Sequence, residues 1–108
     1  MKKLVILLLL SGCADKLTQV NHAINQEPYT VHHDCRNFAE EKYQALIRNG
    51  YKPKQMRFVI TSYHGEPHVV LRVNGLILDN NYPNPYPATK ALQGGLTYET
   101  WNYYRKTI

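Results

Sequence analysis

Apolar positions along the chain follow two periods, with a break near residue 50. Before the break they recur at spacings of three and four, the helical pattern. Leu17, Val20 and Ile24 line one side of a short first helix that Asp15 can cap and Pro28 ends. Phe38, Ala39, Tyr43, Leu46 and Ile47 form the stripe of a second. Asp34 is a good N-cap for it, Cys35 takes the first helical position, and Gly50 suits a left-handed cap just past the end. After the break the pattern alternates, as in strands. Residues 56–63 predict one strand, with Phe58 and Ile60 on one face. A turn follows at His64-Gly65-Glu66-Pro67. Residues 68–73 and 76–79 predict two more strands around Asn74-Gly75, a strong hairpin signal. The run Asn80 to Pro87 is rich in proline and tyrosine and predicts irregular loop. Residues 88–93 predict one helical turn. Residues 97–106 predict a last strand, with Trp101 and Tyr103 on one face and Tyr98, Thr100 and Tyr104 on the other. The fold class is α+β, one main helix on a small antiparallel sheet.

A two-residue turn at Asn74-Gly75 fixes a register. Val73 pairs with Leu76, Arg72 with Ile77, and Leu71 with Leu78. Val69, Leu71, Val73, Leu76 and Leu78 then share an apolar core face. His68, Val70, Arg72, Ile77 and Asp79 share the other. His68 and Asp79 become diagonal neighbours, about 7–8 Å apart at the backbone and within reach of a hydrogen bond. Each alone reads as an ordinary surface histidine or turn aspartate. Together they interrupt one face of otherwise apolar strands.

Cys35 changes the meaning of that pair. A thiol at a helix N-terminus has its pKa lowered from about 8.5 toward roughly 3.5–7.5. The chain thus offers a nucleophile in Cys35, a base in His68, an orienting carboxylate in Asp79 and free first-turn amides for an oxyanion. Zinc is the poorer reading of His32, His33 and Cys35, because the histidines and cysteine lack the paired close spacings of a structural site. Neither a metal nor a cofactor is expected.

The first residues read as a targeting segment. Lys2 and Lys3 precede a short apolar run that is too short to span a bilayer of about 30 Å. It ends in Leu10-Ser11-Gly12-Cys13, which resembles a bacterial lipobox. The resemblance implies removal of residues 1–12 and a lipid on Cys13. Residues 13–108 remain, enough for one small domain. Ala14 after the cysteine implies, by resemblance to Gram-negative lipoproteins, the outer membrane. The expected location is the cell envelope, anchored to a membrane and facing the periplasm or exterior. The formal charge is +5, of which Lys2 and Lys3 leave with the leader. The remaining basic residues are scattered, so nucleic acid is not an expected partner. With Cys13 lipidated, Cys35 has no disulfide partner, and a lone exported thiol points to reactivity.

Three stretches in order resemble the bacterial transglutaminase-like cysteine peptidases of the papain-like superfamily. They are Val20-Asn21 with Ile24-Asn25 and Tyr29; Asp34-Cys35-Arg36-Asn37-Phe38-Ala39 with Lys42, Leu46 and Gly50; and His68-Val69-Val70-Leu71 with Leu78-Asp79-Asn80. The match covers roughly residues 16–82. It implies a papain-like core with Cys35 as nucleophile, His68 as base and Asp79 as orienter, acting on a protein or peptide. Two features depart from the family. The connection before Cys35 is short and lacks the usual tryptophan, and Arg36 and Asn37 stand where the family often has acids. In calcium-dependent members acidic residues flanking the nucleophile hold the ion, so Arg36 argues against calcium and for support of the thiolate. A transglutaminase or amidase would share the same acyl-enzyme step. A non-catalytic binding lipoprotein, using the tyrosine-rich residues 82–86, is the rival of another class. No oligomeric state is implied.

Overall fold

The computed structural model describes residues 16–107. Asp15 as a cap and Cys13 as a lipid site lie outside them. The described chain has three α-helices, α1 (Lys16–Asn25), α2 (Cys35–Arg48) and α3 (Tyr98–Arg105). They accompany a four-stranded antiparallel sheet, β1 (Met56–Tyr63), β2 (Glu66–Val73), β3 (Leu76–Leu78) and β4 (Tyr86–Pro87), in the order β1-β2-β3-β4.

The second helix starts where its cap directs. Asp34 is extended (φ −111°), and its carboxylate accepts from the backbone N–H of Arg36. The Asn37 side chain accepts in return from the Asp34 amide, closing a capping box. At the far end Gly50 adopts φ +96°, a value that suits glycine. The predicted stripe is inward: Phe38, Ala39, Tyr43 and Leu46 are buried, packed with Val20 and Ile24 of α1 and with Phe58, Leu71 and Val73 of the sheet. Hydrophobic burial of these side chains is the main force holding α2 to β2.

The hairpin has the predicted register, Val73 with Leu76, Arg72 with Ile77 and Leu71 with Leu78. Asn74 supplies the positive φ that the tight turn needs. Pro67 lies within β2 opposite Ser62, where β3 is too short to need its missing N–H. Three side-chain expectations change. Ile60 is exposed while Phe58 is buried, because α2 and α3 cover only the inner part of β1. Leu76, expected in the core, is only partly buried. The face carrying Val70 and Ile77 is also covered, by a second small core with Val59, Tyr86, Ala88 and Leu92.

Two elements differ in kind. Residues 97–106 form no strand; Tyr98–Arg105 is helix α3, with Thr97 as N-cap accepting from the Thr100 amide. Aromatics favour strands, but here helical spacing places Tyr98 and Trp101 on one side. Trp101 stacks on Phe58 (5.3 Å, 5°) and donates its indole N–H to Glu40 at 2.8 Å. Tyr103, expected beside Trp101, is exposed. The proline-rich loop also returns to the sheet: Tyr86 pairs with Ile77 and Pro87 with Leu76. Pro87 is tolerated there because β4 is an edge strand. The expected helical turn after it is a short 3-10 turn over Lys90–Leu92.

Candidate active site

The fold brings Cys35, His68 and Asp79 together from three elements. Cys35 opens α2, His68 lies in β2, and Asp79 follows β3 directly. They are 8%, 5% and 2% exposed. Nε2 of His68 is 2.8 Å from Oδ1 of Asp79. With Nε2 engaged, Nδ1 is the nitrogen left for the thiol, and His68 and Cys35 are close enough to shift each other's charge.

Asp79 is held on every side. Its Oδ1 also accepts from the backbone N–H of Asn81 at 3.0 Å. Its Oδ2 accepts from the Tyr86 hydroxyl at 2.7 Å. Asn25 of α1 donates to the Asp79 carbonyl at 3.1 Å, and Asn21 and Asn25 both donate to the Tyr82 carbonyl. The loop carrying the carboxylate is therefore clamped to α1, which explains why two asparagines sit on that helix's inner side. A carboxylate fixed this way orients one ring edge of His68 without rotating away.

The charges follow from these contacts. Burial pushes Asp79 up, but the His68 bond, the Asn81 amide and the Tyr86 hydroxyl outweigh it, so its carboxyl lies below the usual range. Burial pushes His68 down, but the bonds to Asp79 and Cys35 carry it up to about 9. Burial pushes the Cys35 thiol up; the His68 bond, the Val69 backbone and the His68 charge lower it overall. The two shifts, Cys35 down and His68 up, both favour the ion pair of thiolate and imidazolium over the neutral pair. Arg36, expected to support the thiolate, instead forks onto Asp34, with Nε 3.1 Å from Oδ1 and Nη2 2.8 Å from Oδ2.

Three residues were not singled out by the sequence as part of the site. Tyr86 is one; nothing local shows that the loop returns it to Asp79. Tyr29 is another. It borders the Cys35 cavity, its hydroxyl interacts electrostatically with Cys35, and its ring stacks on Phe38 at 5.8 Å. Lys42 is the third. It is 1% exposed on the same face of α2 as Cys35, and burial lowers its ammonium to about 7 against the opposing pull of Asp79.

Two open cavities of about 440 Å³ each flank the triad. One contains Cys35, Ile60, Trp101 and Tyr104; the other contains His68, Tyr63 and Asn81. Tyr29, Glu66 and Pro67 border both. Among the described residues no helix is long and apolar enough to cross a membrane. Compared with protein-family models, with curated proteins and with solved structures, the chain matches none.

Proposed function

We propose that the chain is a cysteine peptidase that cleaves an amide bond in a protein or peptide outside the cytoplasm. The observation that carries this reading is the buried Nε2–Oδ1 bond between His68 and Asp79, at 2.8 Å, on a histidine that interacts with the cysteine opening α2. Stability alone does not call for such a set; a buried ion pair is at best weakly stabilising, whereas nucleophilic catalysis requires it.

The chemistry follows from the positions. The Cys35 thiolate attacks the carbonyl carbon, and the carbonyl electrons move onto oxygen. The Asp34 cap occupies the Arg36 and Asn37 amides, so the Cys35 N–H is the first-turn donor left to meet that oxyanion. Tyr29, which borders the same cavity as Cys35, would supply a second donor. As the tetrahedral centre collapses, the C–N bond breaks and the His68 imidazolium gives its proton to the leaving amine. A thioester remains. His68, now neutral, takes a proton from water, whose oxygen attacks the thioester. The acid leaves and the ion pair is restored. Asp79 stays ionised and stabilises the imidazolium. The lipobox-like run ending at Cys13 supports a lipid-anchored location in the cell envelope for this activity.

An activated-ester acylation assay tests the reading without a known substrate. Full-length protein with Cys13→Ser should show a burst of one acyl group per chain, lost in Cys35→Ser. No burst, or a burst unaffected by His68→Ala, would remove the enzyme reading and favour a binding module.

A further inference from the structure

Apart from the triad, a second group of ligating side chains converges at the other side of the turn before α2. Glu27 follows α1, His33 precedes the Asp34 cap, and Glu41 lies on α2. The carboxylate oxygens and the His33 ring nitrogen all lie within 4.8 Å of one another. Nε2 of His33 is 2.9 Å from Glu27 Oε1 and 3.5 Å from Glu41 Oε2. Ligand atoms held about 2.0–2.1 Å from one tetrahedral zinc ion stand about 3.3–3.4 Å apart, a spacing these two distances bracket.

The imidazole is fixed before any ion arrives. The amides and carbonyls of Thr30 and His33 bond each other at 3.0 and 3.1 Å, and the ring packs on Phe38 at 4.8 Å. A second observation separates this cluster from an ordinary ion pair. Nε2 is shut off from solvent yet makes no hydrogen bond. At 2.9 Å from Glu27 Oε1 the nitrogen is in ion-pair contact, yet without hydrogen-bond alignment. Its neighbours are the two carboxylates, which satisfy it as ion pairs without a well-aligned hydrogen bond. One cation between the three groups would engage the ring nitrogen and both carboxylates at once.

The geometry points to a divalent transition-metal site formed by Glu27, His33 and Glu41, with one imidazole, two carboxylates and water completing the sphere. The imidazole selects against calcium and magnesium, which take oxygen donors, and for ions of the zinc, cobalt or manganese kind. A bound ion would tie residues 27–33 to α2. Tyr29 lies in that segment, so the ion would stiffen the wall shared by both cavities. The site uses none of the triad, and its test is independent of the peptidase reading.

The test is titration of the full chain, in a Cys13→Ser and Cys35→Ser background without thiols, with Zn²⁺ by calorimetry and with Co²⁺ by visible spectroscopy. One equivalent should bind and raise the thermal midpoint. His33→Asn and Glu41→Gln should each weaken binding by at least about 10–100-fold, the loss that even an outer partner of a ligand produces. Circular dichroism checks that each variant folds; Glu41, on the helix surface, keeps the test open if His33→Asn does not. The absence of binding at micromolar Zn²⁺ would overturn the proposal. So would binding that survives both substitutions, or binding seen only when Cys35 is restored, which would put the ion on the thiol.

Discussion

Nε2 of His68 and Oδ1 of Asp79 meet at 2.8 Å although eleven positions of chain separate them. The sign of the resulting pH dependence is fixed by the two shifts. His68 is raised from 6.5 to about 9, so its contribution to stability is complete below pH 6.5 and is lost as pH rises through about 9. Asp79 is lowered from 3.8, so its contribution is present above that value and is lost as pH falls through the depressed one. Both act together only between those limits.

Alkylation of Cys35 by iodoacetamide should have its midpoint below that of a free cysteine. The measurement is the alkylation rate against pH in Cys13→Ser protein, where Cys35 is the only thiol. His68→Ala should move the midpoint upward, because the imidazolium that favours the thiolate is gone. Slow labelling of folded protein, indifferent to His68, would mean an inert core cysteine.

The supporting residues should rank by their distance from the chemistry. In burst acylation, His68→Ala should cost on the order of 10³-fold or more, and Asp79→Ala less. Tyr86→Phe removes one hydrogen bond to Asp79, worth about 0.5–1.5 kcal/mol, so a loss of roughly two- to tenfold is expected. Equal small losses in all three would show that the ring and carboxylate do not act on the thiol.

Lys42 predicts a stability that improves when a charge is removed. The folded protein holds its ammonium at about 7 against 10.5 in the unfolded chain. Between those values the unfolded state binds the extra proton, so stability rises with pH through that range. Lys42→Met should therefore be more stable than the parent at pH 6, by roughly 3–5 kcal/mol from the shift. The gap should narrow toward pH 10. A difference independent of pH in urea unfolding would place the ammonium in water instead.

Gly95 should resist substitution. Its φ is +120°, and a Cβ there would stand 2.8 Å from Arg57 Cβ and 3.0 Å from the Phe58 carbonyl oxygen. The adjoining Leu96 exchanges two 2.8 Å backbone bonds with Phe58. Gly95→Ala should lower stability by about 1–3 kcal/mol through strain and crowding, and loosen α3. Gly65→Ala, with φ +81° but open space, should show the backbone cost alone.

The anchor has its own measurement. Wild-type protein expressed in a lipoprotein-processing host should carry lipid mass on Cys13 and fractionate with membranes, whereas Cys13→Ser should not. Unmodified, soluble wild-type protein would remove the cell-envelope assignment.

What the sequence showed of this molecule was what local chemistry controls. Asp34 announces a helix because a carboxylate there finds amides two and three residues on, wherever the rest of the chain goes. Asn74-Gly75 sets the hairpin register for the same reason, and the register puts Asp79 beside His68. Residues 97–106 were misleading because tyrosine, threonine and tryptophan favour extended chain. The deciding interactions, Trp101 with Phe58 and with Glu40, join segments about forty and sixty positions apart. Tyr86 was hidden likewise: its bond to Asp79 depends on a loop folding back as β4. Tyr29 needed the packing of its segment against Phe38 to be seen at the thiol.

Cys35, His68 and Asp79 come from α2, β2 and the end of β3, so only the packed helix and sheet bring the three together. An unfolded or partly folded chain carries only an ordinary thiol, mostly protonated near neutral pH. On the proposed reading, raised thiol reactivity requires helix packed against sheet, and the labelling of Cys35 would then report the native state.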